Sequence, residues 1–430
     1  MQLLPASLLC LFFYRTCTGS VVSKVNDVTN HLGTRTPYRL RCNNDDSRIT
    51  FPNCTDIKIW MLIRHGTRLP SPKDVQGMTS TLDDLKQQIL KVHHEGNGEL
   101  TKLQLEHLKK WSANIDVKNS KDLTQEGGDE MVLLAERMAK RFPNAIKSKY
   151  SKESFYFRYT PTQRAKQSAH YFTLGLFDKK NSQKVVFAPA LKQDLLIRFY
   201  KYCDNWQKQV KKNPVTYEEQ KIFGKSQVMR ETRQLVSKKL DDVNLMYKIC
   251  GFETSWNKHQ ISPWCYAFDN QTAEVLEYYD ELKHYWLDGY GDPLTARVAC
   301  LPIKHMFETF LNPGPTATFL FAHSGTLLKT LAFMEMYKPD SPLRGDAIKK
   351  DRTWNASHID AFASNLAFVL YRCKDEDYVL TLHQEKVVKL PMCDQELCPL
   401  KRLKEYFAES LKNCDFDKMC NTDYSDSEDS

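Results

Sequence analysis

The apolar, partly β-branched run Ile57 to Ile63 passes without a break into Arg64-His65-Gly66-Thr67-Arg68-Leu69-Pro70. A short apolar run that stops at turn-forming residues reads as a buried strand. The chain must therefore present a loop of two arginines and a histidine directly at the end of a core strand. The planar fork of arginine matches the oxygens of a phosphate in a bidentate way. Gly66 lets the backbone approach a ligand closely, and Pro70 stiffens the exit from the loop. A histidine must be neutral to attack, and flanking guanidinium charge disfavours its imidazolium form. These residue types in this order predict His65 as a nucleophile, with Arg64 and Arg68 as phosphate ligands.

Two further segments, Phe155 to Tyr159 and Ala317 to Ala322, read as short buried strands, and each precedes a helical pattern. Such alternation predicts an α/β fold with a mainly parallel sheet flanked by helices, its ligand site at the carboxyl ends of the strands. Asn365 to Arg372 and Tyr378 to Leu390 read as later strands, the second turned at Gln384 to Lys386. Ser80 to Ser112, Glu126 to Arg141 and Lys201 to Lys248 read as helical.

With 430 residues and no repeat or clean linker, the chain is expected to fold discontinuously. Residues 20–75, 120–200 and 300–400 would build the α/β domain, and 76–119 with 201–299 a smaller inserted α-helical cap. Residues 401–430 would form a C-terminal helix and an acidic tail.

The amino terminus carries the one strongly apolar run, Leu3 to Phe13, followed by Cys17, Thr18 and Gly19. Residues 1–19 read as a signal peptide, because the apolar core is too short to span a bilayer. Eleven of the thirteen cysteines lie beyond it, and an oxidising compartment would pair them, with at least one left over from an odd number. Acceptor sequons at Asn53, Asn270 and Asn355 point the same way, as glycosylation candidates. The expected location is outside the cell or in the lumen of the secretory pathway, with no stable membrane insertion.

Charge is uneven. Residues 201–240 hold ten Lys or Arg against four Asp or Glu in a chain whose net charge is +8. The stretch reads either as a solvated helix face or as a basic wall over a polyanionic small molecule. No nucleic-acid-binding module accompanies it. His93 and His94 are adjacent rather than spaced as ligands on one helix face, and no His-Glu-x-x-His occurs, so neither a metal nor another cofactor is expected.

Arg-His-Gly-x-Arg-x-Pro resembles the signature of the histidine phosphatase superfamily in its acid phosphatase and phytase branch. Leu123-Thr124 followed by Gly127 resembles its second landmark. Arg164, in Thr160-Pro161-Thr162-Gln163-Arg164, matches the third arginine of the family's phosphate pocket, and His323 matches its second, phosphate-binding histidine. The family places an Asp or Glu proton donor just after that histidine, whereas this chain has Ser324 and Gly325.

Lys73 after the motif, the Cys250 to Cys265 segment ending Ser262-Pro263-Trp264-Cys265, and Ala363 to Cys373 further resemble the multiple inositol polyphosphate phosphatases. That resemblance implies stepwise hydrolysis of inositol hexakisphosphate and lower inositol phosphates, with related activity on 2,3-bisphosphoglycerate. It also implies a Cys250–Cys265 disulfide. Lys73 would be a peripheral phosphate contact or a solvated lysine. The alternatives are a less selective acid phosphatase and a phosphate-binding protein that lost turnover with the acid.

Overall fold

The computed structural model describes residues 28–236 and 240–421. The signal peptide and the tail from Asp423 to Ser430 lie outside the described residues. Seven strands form one sheet: β1 (Cys54–Arg64), β2 (Phe155–Tyr159), β3 (Ala317–Ala322), β4 (Asn365–Cys373), β5 (Glu376–His383), β6 (Lys386–Val387) and β7 (Leu397–Pro399). Their order is β2-β3-β1-β4-β5-β6, with β7 also on β5.

Strand β1 lies inside the sheet and is covered on both faces, which is why its sequence runs apolar instead of alternating with polar residues. Its side chains still alternate in direction. Trp60 and Leu62 enter a core shared with Leu320 and Phe368, whereas Ile59, Met61 and Ile63 enter the opposite core with Phe319 and Phe321. The first face is covered by Ile303 and Met306 of a helix at Cys300–Leu311, and by Leu327 and Leu331 of the helix at Ser324–Phe333. The second is covered by Met131 and Leu134 of Gln125–Arg141, and by Ala169 and Phe172 of Gln163–Ser182. Each fully buried Ile, Leu or Met contributes about 1.5–3 kcal/mol of transfer free energy.

In chain order the helices used below are α1 (Gln125–Arg141), α2 (Gln163–Ser182), α3 (Asn270–Asp288), α4 (Cys300–Leu311) and α5 (Ser324–Phe333). The first core continues beyond the sheet into Met78, Leu82 and Leu108, and into Trp264 and Tyr278. The segments expected to be helical are so but interrupted. Ser80 to Ser112 divides into Asp83–His94 and Lys102–Lys110, and Lys201 to Lys248 begins as several short turns before Glu218–Gly224.

The three predicted core strands are present, with β2 and β3 at the expected bounds. The sheet is mixed, which corrects the mainly parallel expectation: β1–β3 and β2–β3 run parallel, while β1–β4, β4–β5, β5–β6 and β5–β7 run antiparallel. The reason is where β4 starts. Asn365 pairs with Ile63 at the carboxyl end of β1, so the segment leading into β4 is delivered to the rim that carries Arg64 and His65. The predicted turn after β5 falls at Gln384 and Glu385, both with positive φ.

Cys250 pairs with Cys265 as the resemblance implied. Cys54–Cys373, Cys203–Cys420, Cys300–Cys414 and Cys393–Cys398 add four more bridges. These five bridges engage ten of the eleven cysteines beyond the amino-terminal apolar segment, and Cys42 is disulfide-bonded as well. Asn53 and Asn270 are exposed, whereas Asn355 is half-buried and its side-chain oxygen accepts from His358 N at 3.2 Å. Among the described residues, no helix is long and apolar enough to cross a membrane.

Candidate active site

His65 is the first residue beyond β1. Its amide donates to Ala322 O at the end of β3 (3.1 Å), and its carbonyl accepts from Ala363 N just before β4 (3.2 Å). Three chain segments thus fix its backbone. The Gly66 carbonyl lies 2.9 Å from His65 Nδ1 and can only accept, so Nδ1 carries the proton and Nε2 keeps its lone pair. Only 3% of His65 is exposed. Burial, followed by the charges of Arg164, His323, Arg64 and Arg68, holds its pKa well below the usual histidine range. The ring is neutral and points a free nitrogen into a cationic surround.

The loop after His65 is held from below by α1. Thr67 donates to Glu130 through its amide (2.7 Å) and its hydroxyl (2.9 Å), and Tyr38 N donates to the same carboxylate (3.1 Å). Burial and the nearby Glu126 push the Glu130 pKa up to about 7. The Leu123-Thr124 landmark docks on the same loop: Thr124 N and Oγ1 donate to Thr67 O at 2.9 and 3.0 Å, and Leu123 bridges Arg68. Thr124 also caps α1 by accepting from Gly127 N, as a threonine preceding a helix commonly does.

Four predicted residues converge around His65. Arg64 donates to Thr34 O (2.8 Å) and to Asp360 O, and lies over the Phe362 ring at 4.7 Å. Arg68 donates to Leu69 O (2.8 Å) over the ring of Phe252 (5.3 Å), and burial beside Arg164 and Arg64 pushes its pKa down to about 9. Arg164 sits in the first turn of α2, which Thr162 caps, and burial followed by neighbouring charge lowers its pKa to about 10. The His323 ring centroid is 5.5 Å from that of His65. Arg164 Nη2, a donor only, lies 3.4 Å from His323 Nδ1, so His323 Nε2 bears the proton and donates to Thr160 Oγ1 at 2.9 Å.

Lys73 is exposed on the first turn of the short helix Pro72–Gly77. Among the described residues it makes no hydrogen bond or ion pair with the other predicted site residues.

Sequence reasoning passed over Glu130, Arg198 and Asp360. Arg198 precedes the basic stretch, and its charge, with that of Lys201 inside the stretch, helps keep His323 neutral. Asp360 is fully buried, sits 3.3 Å from Arg64 Nη1, and accepts a hydrogen bond from the Ser324 hydroxyl. An isolated Glu, Arg or Asp carries no local pattern, and each reaches the rim only through the fold.

Arg64, Arg164 and Arg198 each keep a buried Nε without a hydrogen-bond partner. Buried polar groups are ordinarily satisfied. Orphan guanidinium nitrogens around a neutral histidine, beside the amino ends of α2 and α5, form a site for a tetrahedral anion. Such a site can hold a phosphoryl group while Nε2 attacks phosphorus.

The family model for the histidine phosphatase superfamily (branch 2) matches residues 57–390. A multiple inositol polyphosphate phosphatase 1 from Drosophila melanogaster is 31% identical over 396 residues, covering 86% of this chain and 83% of that protein. Among solved structures, the phytase from D. castellii superposes with a TM-score of 0.71 at 16% identity, covering 94% of this chain and 91% of the other. A Bifidobacterium longum multiple inositol polyphosphate phosphatase in complex with inositol hexasulfate gives 0.68 at 14% identity, covering 87% and 97%. The motif loop, Arg164, His323 and strands β2 to β6 fall inside the matched span, and the chain belongs to the histidine phosphatase superfamily, branch 2, as a phosphoric monoester hydrolase.

Proposed function

We propose that this protein is a secreted phosphatase that removes phosphates from inositol hexakisphosphate and lower inositol phosphates through a phosphohistidine at His65. The observation that carries the reading is the committed tautomer of His65, with Nδ1 engaged by Gly66 O and Nε2 free within the arginine cluster. In the first step Nε2 bonds to phosphorus as the P–O bond to the leaving group breaks. In the second, water displaces the histidine and releases phosphate. Arg64, Arg68 and Arg164 hold the phosphoryl oxygens, and His323 orients Arg164 and supports the pocket.

The substrate class follows from the names of the relatives and from the excess of cations about the rim, where Arg198 and Lys201 add to the three pocket arginines. The helical segments 76–119 and 201–299 would form the cap over such a polyanion, with Lys73 as a peripheral contact. Activity on 2,3-bisphosphoglycerate belongs to the same reading. Secretion is supported by the five mapped disulfides, since such bridges persist in oxidising compartments.

Phosphate release from inositol hexakisphosphate, followed from acidic to neutral pH with His65→Ala as control, tests the reading. Release that vanishes in the variant supports it; equal release by both proteins rejects it. A second reading, a less selective acid phosphatase, is favoured by Ser324-Gly325, because an enzyme without an adjacent carboxylate handles good leaving groups best. Equal kcat/KM for inositol hexakisphosphate and small monoesters would select that alternative.

A further inference from the structure

An inositol or sugar alkoxide leaves poorly unless it is protonated, and general acid catalysis contributes about 100- to 10,000-fold. The two residues after His323 offer no carboxylate. Three buried acids nevertheless surround this point, and their partners separate them. Glu130 is occupied by Thr67 and Tyr38 beneath the loop. Asp288, at the end of α3, lies where a side chain at position 325 would reach: a Cβ on Gly325 would sit 3.1 Å from its Oδ1. It is bound to Lys329 and, at 3.1 Å, to His284 Nδ1, and against burial the Lys329 charge and the His284 hydrogen bond hold it far below the usual carboxylate range. An acid locked in that way has no proton to give.

Asp360 differs. It is fully buried, its Oδ2 meets the Ser324 hydroxyl, and its Oδ1 lies 3.3 Å from Arg64 Nη1 without a hydrogen bond, so burial against a single guanidinium sets its proton affinity. Ser324 opens α5 immediately after His323 and is half-buried, and its hydroxyl contacts the enclosed carboxyl group. We propose that Asp360 supplies the leaving-group proton through the Ser324 hydroxyl, in place of a carboxylate on the residues that follow His323.

The step balances. As His65 Nε2 bonds to phosphorus, the breaking P–O bond leaves its electron pair on the departing oxygen. For this the Ser324 hydroxyl, which donates to Asp360 in the structure, turns its proton to that oxygen and accepts one from the protonated Asp360 carboxyl group, leaving Asp360 ionised beside Arg64. When water later attacks the phosphohistidine, its proton returns by the same route to Asp360. Ser324 is the group that meets the substrate, and Asp360 acts through it.

The groups facing Asp360 suit the role. Burial raises its pKa most, Arg64 on β1 and the Ser324 hydroxyl oppose that rise, His284 on α3 opposes it further, and Asp288 reinforces it. The net shift is upward, with burial outweighing the Arg64 charge.

The proposal rests on the phosphohistidine reading, and one experiment separates the two. For the wild type, Ser324→Ala, Asp360→Asn and His65→Ala, kcat/KM is measured with an inositol phosphate and with an aryl phosphate, whose leaving group departs without full protonation. The alkyl-to-aryl ratio is expected to fall about 100-fold in both Ser324→Ala and Asp360→Asn. Loosening of Arg64 alone would lower both substrates together and leave the ratio in place. An unchanged ratio in Ser324→Ala overturns the proposal, and that variant decides alone if Asp360→Asn fails to fold. Activity surviving in His65→Ala would instead overturn the underlying reading.

Discussion

Gly66 and Gly127 face each other so closely that a Cβ built on Gly66 would lie 2.3 Å from Gly127 O, and one built on Gly127 would lie 2.2 Å from Thr67 O. Both obstacles are backbone. Gly127→Ala is therefore expected to push the loop carrying His65 out of register, at a cost of about 1–3 kcal/mol. Denaturant unfolding and kcat/KM should both report it, with activity falling by more than stability alone explains.

The Glu130 carboxylate accepts three hydrogen bonds, two from Thr67 and one from Tyr38. Glu130→Gln turns one of its oxygens into a donor against them. The expected loss is about 1–3 kcal/mol of stability, the cost of buried groups left unpaired. Thermal melts should show it, together with a lower kcat as the Arg64 to Pro70 loop loosens.

Arg164 Nη2 lies 3.4 Å from His323 Nδ1, and the proposed reading makes Arg164 a phosphate ligand. Arg164→Ala is expected to weaken competitive inhibition by inorganic phosphate about 10- to 100-fold, since a hydrogen bond to a charged group is worth about 1.5–3 kcal/mol. Arg164→Lys should recover only part of that loss, because an ammonium cannot reproduce the fork. Inhibition constants unchanged in both variants would remove Arg164 from the pocket.

Trp60 Nε1 donates to His305 Nδ1 at 3.0 Å, and burial lowers the His305 pKa to about 4. The unfolded chain takes up a proton on this residue below pH ~6.5, while the fold refuses it until about 4. The unfolded state thus binds more protons in that window, and stability falls as pH drops, by up to about 1.4 kcal/mol per pH unit for this residue. His65 and His323, also held below the usual range, add to the slope. Urea unfolding between pH 7 and 4 should show the decline, and His305→Gln should flatten it.

The strands and the motif loop were legible because each is written in consecutive residues. Continuous burial of Ile59 to Ile63 leaves an apolar run, and a phosphate loop at its end leaves arginine, histidine and glycine in fixed order. Strand direction was not legible in the same way. A helix after a strand suggests a parallel return, but whether β4 enters from the near or the far rim is decided by the path of residues 334–364, which has no periodic signature.

The supporting residues of the site were hidden for a related reason. Glu130 lies 63 positions from Thr67, and Asp360 lies 36 from Ser324. Helix α1 presents Glu130 to the loop only because its apolar face packs on the sheet. Lys73, read from its nearness to the motif, shows the converse: adjacency in sequence left it exposed on a helix turn.

Cys203 waits for Cys420 and Cys300 for Cys414, separations of 217 and 114 residues. On the proposed secretory route, both earlier thiols would enter an oxidising compartment long before their partners emerge. The nearest later cysteines are the wrong ones, so this part of the molecule must mature after translation ends, with thiol exchange correcting early mispairing. A nonsense mutation just before Cys414 would leave every residue of the arginine and histidine cluster encoded, yet would strand two reactive thiols and invite retention by the machinery that inspects new chains.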